Sequence, residues 1–199
     1  NVTGIPDAQG NLPKIIGGGS NRLFKVESGG ELVVKSLNLT GGVASGNGDD
    51  GKGGAVFVTG NGASFYASNS ALWGNSGTTG AGLAATSGPF VMLNKTHLGH
   101  NNGGSGGGAY CFDATCIMNA VDVHHNSAND GGGLYCYNSA HCNIYSSSSF
   151  YNNAAVYYGA GIYCSDATCK MHHSTIHNNR ANTLAGGCYI SDATVIFFH

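Results

Sequence analysis

A glycine-led sextet recurs along this chain at nearly constant spacing, and that period limits the fold more than any other feature. Gly53–Val58 returns as Gly80–Ala85, Gly106–Cys111, Gly131–Cys136, Gly159–Cys164 and Ala185–Ile190. The third residues stand at 55, 82, 108, 133, 161 and 187, so the steps are 27, 26, 25, 28 and 26. Later in each period comes an apolar residue, two others and an asparagine: Leu72 to Asn75, Leu98 to Asn101, Val123 to Asn126, Phe150 to Asn153 and Ile176 to Asn179. A fixed self-similarity of about 20–50 residues marks stacked structural units, each burying its apolar face on the next.

Within a period the apolar residues fall at every second position, as in Val56/Val58, Phe65/Ala67 and Ser70/Leu72. That is strand periodicity with one buried face. Aligned by repeat, the inward positions form columns. One reads Val56, Leu83, Ala109, Leu134, Ile162, Cys188, and the next Val58, Ala85, Cys111, Cys136, Cys164, Ile190. A third runs Phe65, Val91, Cys116, Cys142, Cys169, Val195, and a fourth Ala67, Leu93, Met118, Ile144, Met171, Phe197. Ser70, Thr96, Val121, Ser148 and Ser174 make a fifth, beside the apolar column that opens each Asn motif. The pattern predicts an all-β chain forming one parallel β-helix of about seven coils, with three short strands per coil and like residues stacked about 4.8 Å apart.

The composition agrees. The 34 glycines recur at fixed offsets where tight arcs need them, and 9% charged against 41% hydrophobic residues argues against a disordered chain. Leu32, Val34, Leu37 and Leu39 repeat the spacing of Phe65, Ala67, Ser70 and Leu72, so a coil precedes the first sextet. Ser45–Gly54 reads as an enlarged arc and residues 1–19 as an incomplete first coil. Residues 1–199 form a single solenoid domain in this reading. Strand-like sequence near the start and "ATVIFFH", Ala193–His199, at the end predict end-to-end continuation, into more coils of the same chain or into a neighbouring subunit.

The sextet followed by apolar-x-x-Asn resembles the GGA(I/L/V) and FxxN repeats of the polymorphic outer membrane protein family. The likeness spans residues 53–190, more weakly 15–52, and only Phe150 keeps the aromatic of FxxN. It implies a right-handed β-helix and a surface-exposed or secreted adhesin.

Cys111/Cys116, Cys136/Cys142 and Cys164/Cys169 recur once per coil and flank the same arc, with Ile190 and Val195 in the next coil. Inward positions that accept an aliphatic favour structural disulfides across each arc over a reactive dithiol or zinc site. Bridges between stacked cysteines of neighbouring coils satisfy the same spacing. Cys188 replaces an aliphatic residue and reads as a buried free thiol. The column Asn75, Asn101, Asn126, Asn153 and Asn179 reads as a ladder of buried amides passing hydrogen bonds from coil to coil.

Nine histidines include the doublets His124-His125 and His172-His173, with His100 aligned beside His125. Their spacing does not specify converging ligands, so they read as a solvated surface ladder; neither metal nor cofactor is expected. Asp113, Asp166 and Asp192 recur in "DAT" arcs, which makes them arc formers, with only Lys170 and Arg180 as basic partners in the last three coils. The chain is therefore not expected to be an enzyme, and a carbohydrate-active activity ranks last. Outward parity places Tyr110, Tyr135, Tyr163 and Tyr189 in one column behind Phe57 and Ala84. Such a ladder either stabilises the sheet or offers a contact strip for glycan or another chain.

Paired cysteines and sequons at Asn1, Asn38 and Asn94 point to a secreted or cell-surface glycoprotein. No stretch is long and apolar enough to insert in a membrane. A formal net charge of −2 disfavours nucleic acid as a partner. The leading expectation is a structural component of an extracellular surface layer, sheath or filament. An adhesin or glycan-binding module is the alternative.

Overall fold

The computed structural model describes residues 1–198; His199, the last residue of the ATVIFFH stretch, lies outside them. The chain winds as a parallel β-solenoid of about seven coils of about 26 residues, with essentially no helix. Its walls are four parallel sheets of eight, seven, seven and six strands. One complete coil shows the order: Leu83–Thr86, Phe90–Asn94, His97–Gly99 and Asn102–Ser105 each contribute a strand to a different wall.

The columns read from sequence coincide with the strand registers. Leu83 pairs with Val56 and Ala109, and the same line continues through Leu134 and Ile162 to Cys188. In the second wall Phe65, Val91, Cys116, Cys142, Cys169 and Val195 stack in sequence, as do Ala67, Leu93, Met118, Ile144, Met171 and Phe197. Leu32, Val34 and Leu39 of the earlier coil pair with Phe65, Ala67 and Leu72. Residues 1–19 supply Val2–Thr3 and Lys14–Ile16, which extend two walls. Phe65, Leu72, Leu98, Leu134, Ile144 and Phe150 are fully buried along the axis. Each such side chain contributes about 1.5–3 kcal/mol of hydrophobic burial.

Three strands per coil was the expectation, and the solenoid has four. The fourth wall is built from Val43–Ala44, Ser76–Thr79, Asn102–Ser105, Ser127–Asp130, Ala154–Tyr158 and Arg180–Ala181. The inward position at the start of each of its strands is glycine or alanine: Gly77 pairs with Ala44 and Gly103, and Ala155 with Ala128 and Ala181. This wall closes tightly on the glycine corner, where a Cβ on Gly77 would lie 3.3 Å from Ala81 Cα. No large apolar side chain fits, so the wall leaves no hydrophobic alternation in the sequence.

The residue leading each sextet explains the glycines there. Gly53, Gly80, Gly106, Gly131 and Gly159 all have φ between 58° and 65°, the left-handed region that disfavours a Cβ. Ala185 holds the same position at φ 58°. The enlarged arc turns through a single 3₁₀ segment, Gly48–Gly51, and is tied down by Arg22, which donates to the carbonyls of Asp49 (2.6 Å) and Asp50 (3.0 Å).

Candidate functional site

Asn75, Asn101, Asn126 and Asn153 are buried at one corner of the solenoid, each 1% exposed, and Asn179 continues the line half-buried. Each Nδ2 donates to the Oδ1 of the next coil's asparagine at 3.0–3.1 Å. It also donates to a carbonyl of the preceding coil: Leu39, Leu72, Leu98, Val123 and Phe150 in turn. Each Oδ1 further accepts the backbone N–H of the preceding ladder residue, from Gly42 to Asn153. Both Nδ2 protons and the Oδ1 of the interior asparagines are spent inside the wall, which leaves no amide for a ligand.

The cysteines depart from expectation in one coil. Cys111–Cys116 and Cys136–Cys142 are disulfides within coils, across the same arc. Cys164 and Cys169 face each other across the next arc but are free thiols, as is Cys188. Their mutual interaction holds the Cys164 thiol below its ordinary pKa and, with burial, pushes Cys169 up. Arc length alone, five residues both here and in the bonded Cys111–Cys116 pair, does not separate the two outcomes. Cys188 is a free thiol as expected but half-buried where full burial was expected; desolvation, followed by charge on Cys164, pushes it up to about 12, so it is unsuited to act as a thiolate.

On the outer face of the sextet wall the tyrosines stack ring on ring. Tyr110–Tyr135, Tyr135–Tyr163 and Tyr163–Tyr189 have centroids 5.2, 4.3 and 5.1 Å apart and interplanar angles of 18°, 3° and 20°. Tyr158 leans on the far end, 4.9 Å from Tyr189. Tyr135 and Tyr163 therefore present both faces to neighbouring tyrosines, leaving only ring edges outward. Burial, followed by the neighbouring Tyr163, pushes the Tyr135 phenol well above its ordinary value. Phe57, at the head of this column, is fully buried despite its outward parity. Arg22, Lys25 and Lys52 cover its ring at 5.2–5.8 Å, closing that end of the strip.

The arc aspartates stand where the turn requires left-handed backbone: Asp113, Asp166 and Asp192 all have φ 47°. Of the sequon asparagines Asn1 is exposed, while Asn38 and Asn94 are half-buried. Asn38 Oδ1 is enclosed without a partner, and Asn94 Oδ1 accepts from Asn119 Nδ2 at 3.2 Å.

Histidine is where the sequence reading missed most. Strand pairing sets His97 beside Asp122, and Trp73, Gly99, His124, Tyr151 and His177 in one outward column. His124 Nδ1 lies 2.9 Å from His125 Nδ1, and the His100 and His125 rings stack at 5.0 Å and 4°. One ring nitrogen from each of His100, His124 and His125 falls within 4.8 Å of the others. Trp73 packs on His100 at 4.4 Å and on His124 at 5.4 Å, while Tyr151 stacks on His124 at 4.9 Å. Gly99 makes room: a Cβ there would come 2.6 Å from the Trp73 ring and 3.2 Å from His124 Cε1. Burial is the main force holding His124 below its ordinary pKa, reinforced by charge on His125 and His97. The signal available in sequence was the alignment of His100 with His125, but ring direction is not legible there.

No family model matches this chain, and comparisons with curated proteins and with solved structures find no significant match. The likeness to polymorphic outer membrane proteins therefore rests on the two short motifs alone. Among the described residues no helix is long and apolar enough to cross a membrane. The two disulfides are of a kind that forms and persists in oxidising, extracellular surroundings.

Proposed function

We propose that this chain is a structural β-solenoid, a stiff element of an extracellular surface layer, sheath or filament. The observation that carries this reading is the fate of the periodic side chains. The asparagine amides are consumed by one another, and the tyrosine faces are filled by neighbouring tyrosines. Ring faces are what a sugar would stack upon, so the ladder resists bending along the axis better than it captures a glycan. The low charge and the two cross-arc disulfides suit a durable scaffold in an oxidising milieu. Glycans on Asn1 or Asn94 belong to the same setting.

The test is immunogold electron microscopy of native material with antibody against this chain, paired with glycan-array binding by the purified protein. Regular labelling along walls, sheaths or filaments is expected, together with background binding on the array. Dispersed labelling and glycan binding that disappears in a Tyr135→Ala/Tyr163→Ala variant would replace this reading with the adhesin. Release of new reducing ends from a polysaccharide would replace it with a carbohydrate-active enzyme.

A further inference from the structure

The three imidazoles on the Asn-strand face stack on their neighbours, but the backbone there does not require them. His100 and His125 occupy the corner after that strand, where the backbone is left-handed: φ is 56° and 53°. The same corner holds Gly41, Gly74, Asn152 and Asn178 in other coils, at φ 69°, 64°, 52° and 54°. Glycine and asparagine satisfy this geometry cheaply, and histidine is tolerated. The turn alone therefore calls for no imidazole, yet two adjacent coils place one there and a third on the neighbouring strand residue.

We propose that His100, His124 and His125 form a binding site for a divalent late first-row transition-metal ion of the zinc and copper class. The donor set selects the class: imidazole nitrogen suits zinc, copper and nickel, whereas calcium and magnesium demand oxygen ligands. For metal–nitrogen bonds of about 2.0–2.1 Å, two ligands lie about 2.9 Å apart at the right angle of a tetragonal copper site and about 3.3 Å apart at the tetrahedral angle of zinc. The Nδ1 atoms of His124 and His125 are separated by 2.9 Å. The His100 nitrogen lies within 4.8 Å of both, and its ring must turn out of its parallel stack on His125 to aim a lone pair at the same point. Trp73 and Tyr151 wall two sides, which limits the rotamers of His124 and gives the site a fixed back. His100 and His125 are exposed, so solvent supplies the remaining ligands from the open side. Asp122, 3.3 Å from His97 Nδ1, adds a carboxylate to the same surface. The other two close groups of ligand atoms, Cys111/Cys116/Cys142 and Cys136/Cys164/Cys169, are disqualified because Cys111 is bonded to Cys116 and Cys136 to Cys142.

The experiment uses tag-free full-length chain, stripped with chelator and titrated calorimetrically with Zn(II) and, separately, Cu(II) salts. One ion per chain is expected. A His100→Asn/His125→Asn variant, which installs the residue other coils use at this corner, should fold normally by circular dichroism and bind at least tenfold more weakly. His141→Asn, in the second wall, should bind as the parent does. Co(II) substitution should give a spectrum without sulfur-to-metal charge transfer. Absence of stoichiometric binding, equal affinity in the double variant, or a thiolate charge-transfer band would each overturn the proposal.

Discussion

Truncating one interior rung of the asparagine ladder tests whether the ladder holds coils together or merely fills a corner. Asn126→Ala removes the Oδ1 that accepts from Asn101 N and Asn101 Nδ2, both at 3.0 Å, and the Nδ2 that donates to Leu98 O at 2.9 Å and to Asn153 Oδ1 at 3.0 Å. Asn101 keeps its bond to Leu72 O, and the backbone N–H of residue 126 keeps Asn153 Oδ1. Leu98 O also loses its side-chain donor, and the donors orphaned are one backbone N–H and one amide proton of Asn101, in a site that is 1% exposed. A buried donor left without a partner costs about 1–3 kcal/mol, so two cost about 2–6, with about 4 as the centre. That is a large share of the roughly 5–15 kcal/mol that holds a domain together. Asn179→Ala is the control, because Asn179 is half-buried and water can replace its amide; about 1 kcal/mol is expected. Solenoids open locally, so hydrogen exchange is the better assay, with denaturant unfolding alongside it. The Asn101 amide should exchange about a thousandfold faster in Asn126→Ala, since each 1.4 kcal/mol is about tenfold. Unchanged exchange at Asn101, or a loss no greater than that of Asn179→Ala, would refute the reasoning.

Ala185 sits where five other coils use a left-handed glycine and is itself exposed. Ala185→Gly should therefore raise stability by about 0.5–1 kcal/mol in denaturant unfolding, and a loss would contradict the strain argument. Alkylation of denatured, unreduced protein should label Cys164, Cys169 and Cys188 and spare the other four cysteines; labelling of Cys188 alone would show a third bridge. The raised phenol of Tyr135 gives a sign for the alkaline limb. Unfolded tyrosine ionises near about 10 while the folded group stays protonated, so above that pH the folded state binds more protons and stability falls as pH rises. Tyr135→Phe should flatten that decline, as followed by unfolding curves between about pH 9 and 11, and an identical slope would remove Tyr135 as its source.

Like stacks on like in a parallel solenoid, so one-dimensional alignment already carries the inward columns. Val56 over Leu83 over Ala109 and Asn101 over Asn126 needed no side-chain geometry, because register follows from the period. The signal failed where a position is filled by what does not vary or by what comes from far away. Gly77, Gly103 and Ala128 line the fourth wall with nothing larger than a methyl, so no alternation betrays a strand. Phe57 reads as exposed from parity, yet Arg22 and Lys52 reach it from outside its own repeat strand.

The histidine site failed for a third reason: it departs from the repeat instead of obeying it. Repeat alignment compares equivalent positions, whereas His124 occupies the last strand position and His100 and His125 the corner that follows. Their convergence depends on Gly99, where a missing Cβ lets the Trp73 indole lean between two coils. Coils that obey the period share out stiffness, and each interior rung is bonded to its neighbours alone. A local function in such a scaffold must come from positions that break the column, and the sequence marks them as exceptions: Trp73, Gly99 and His124 in a single outward line of unlike residues. The same criterion separates this face from the tyrosine strip, whose uniformity is itself the reason its ring faces are filled.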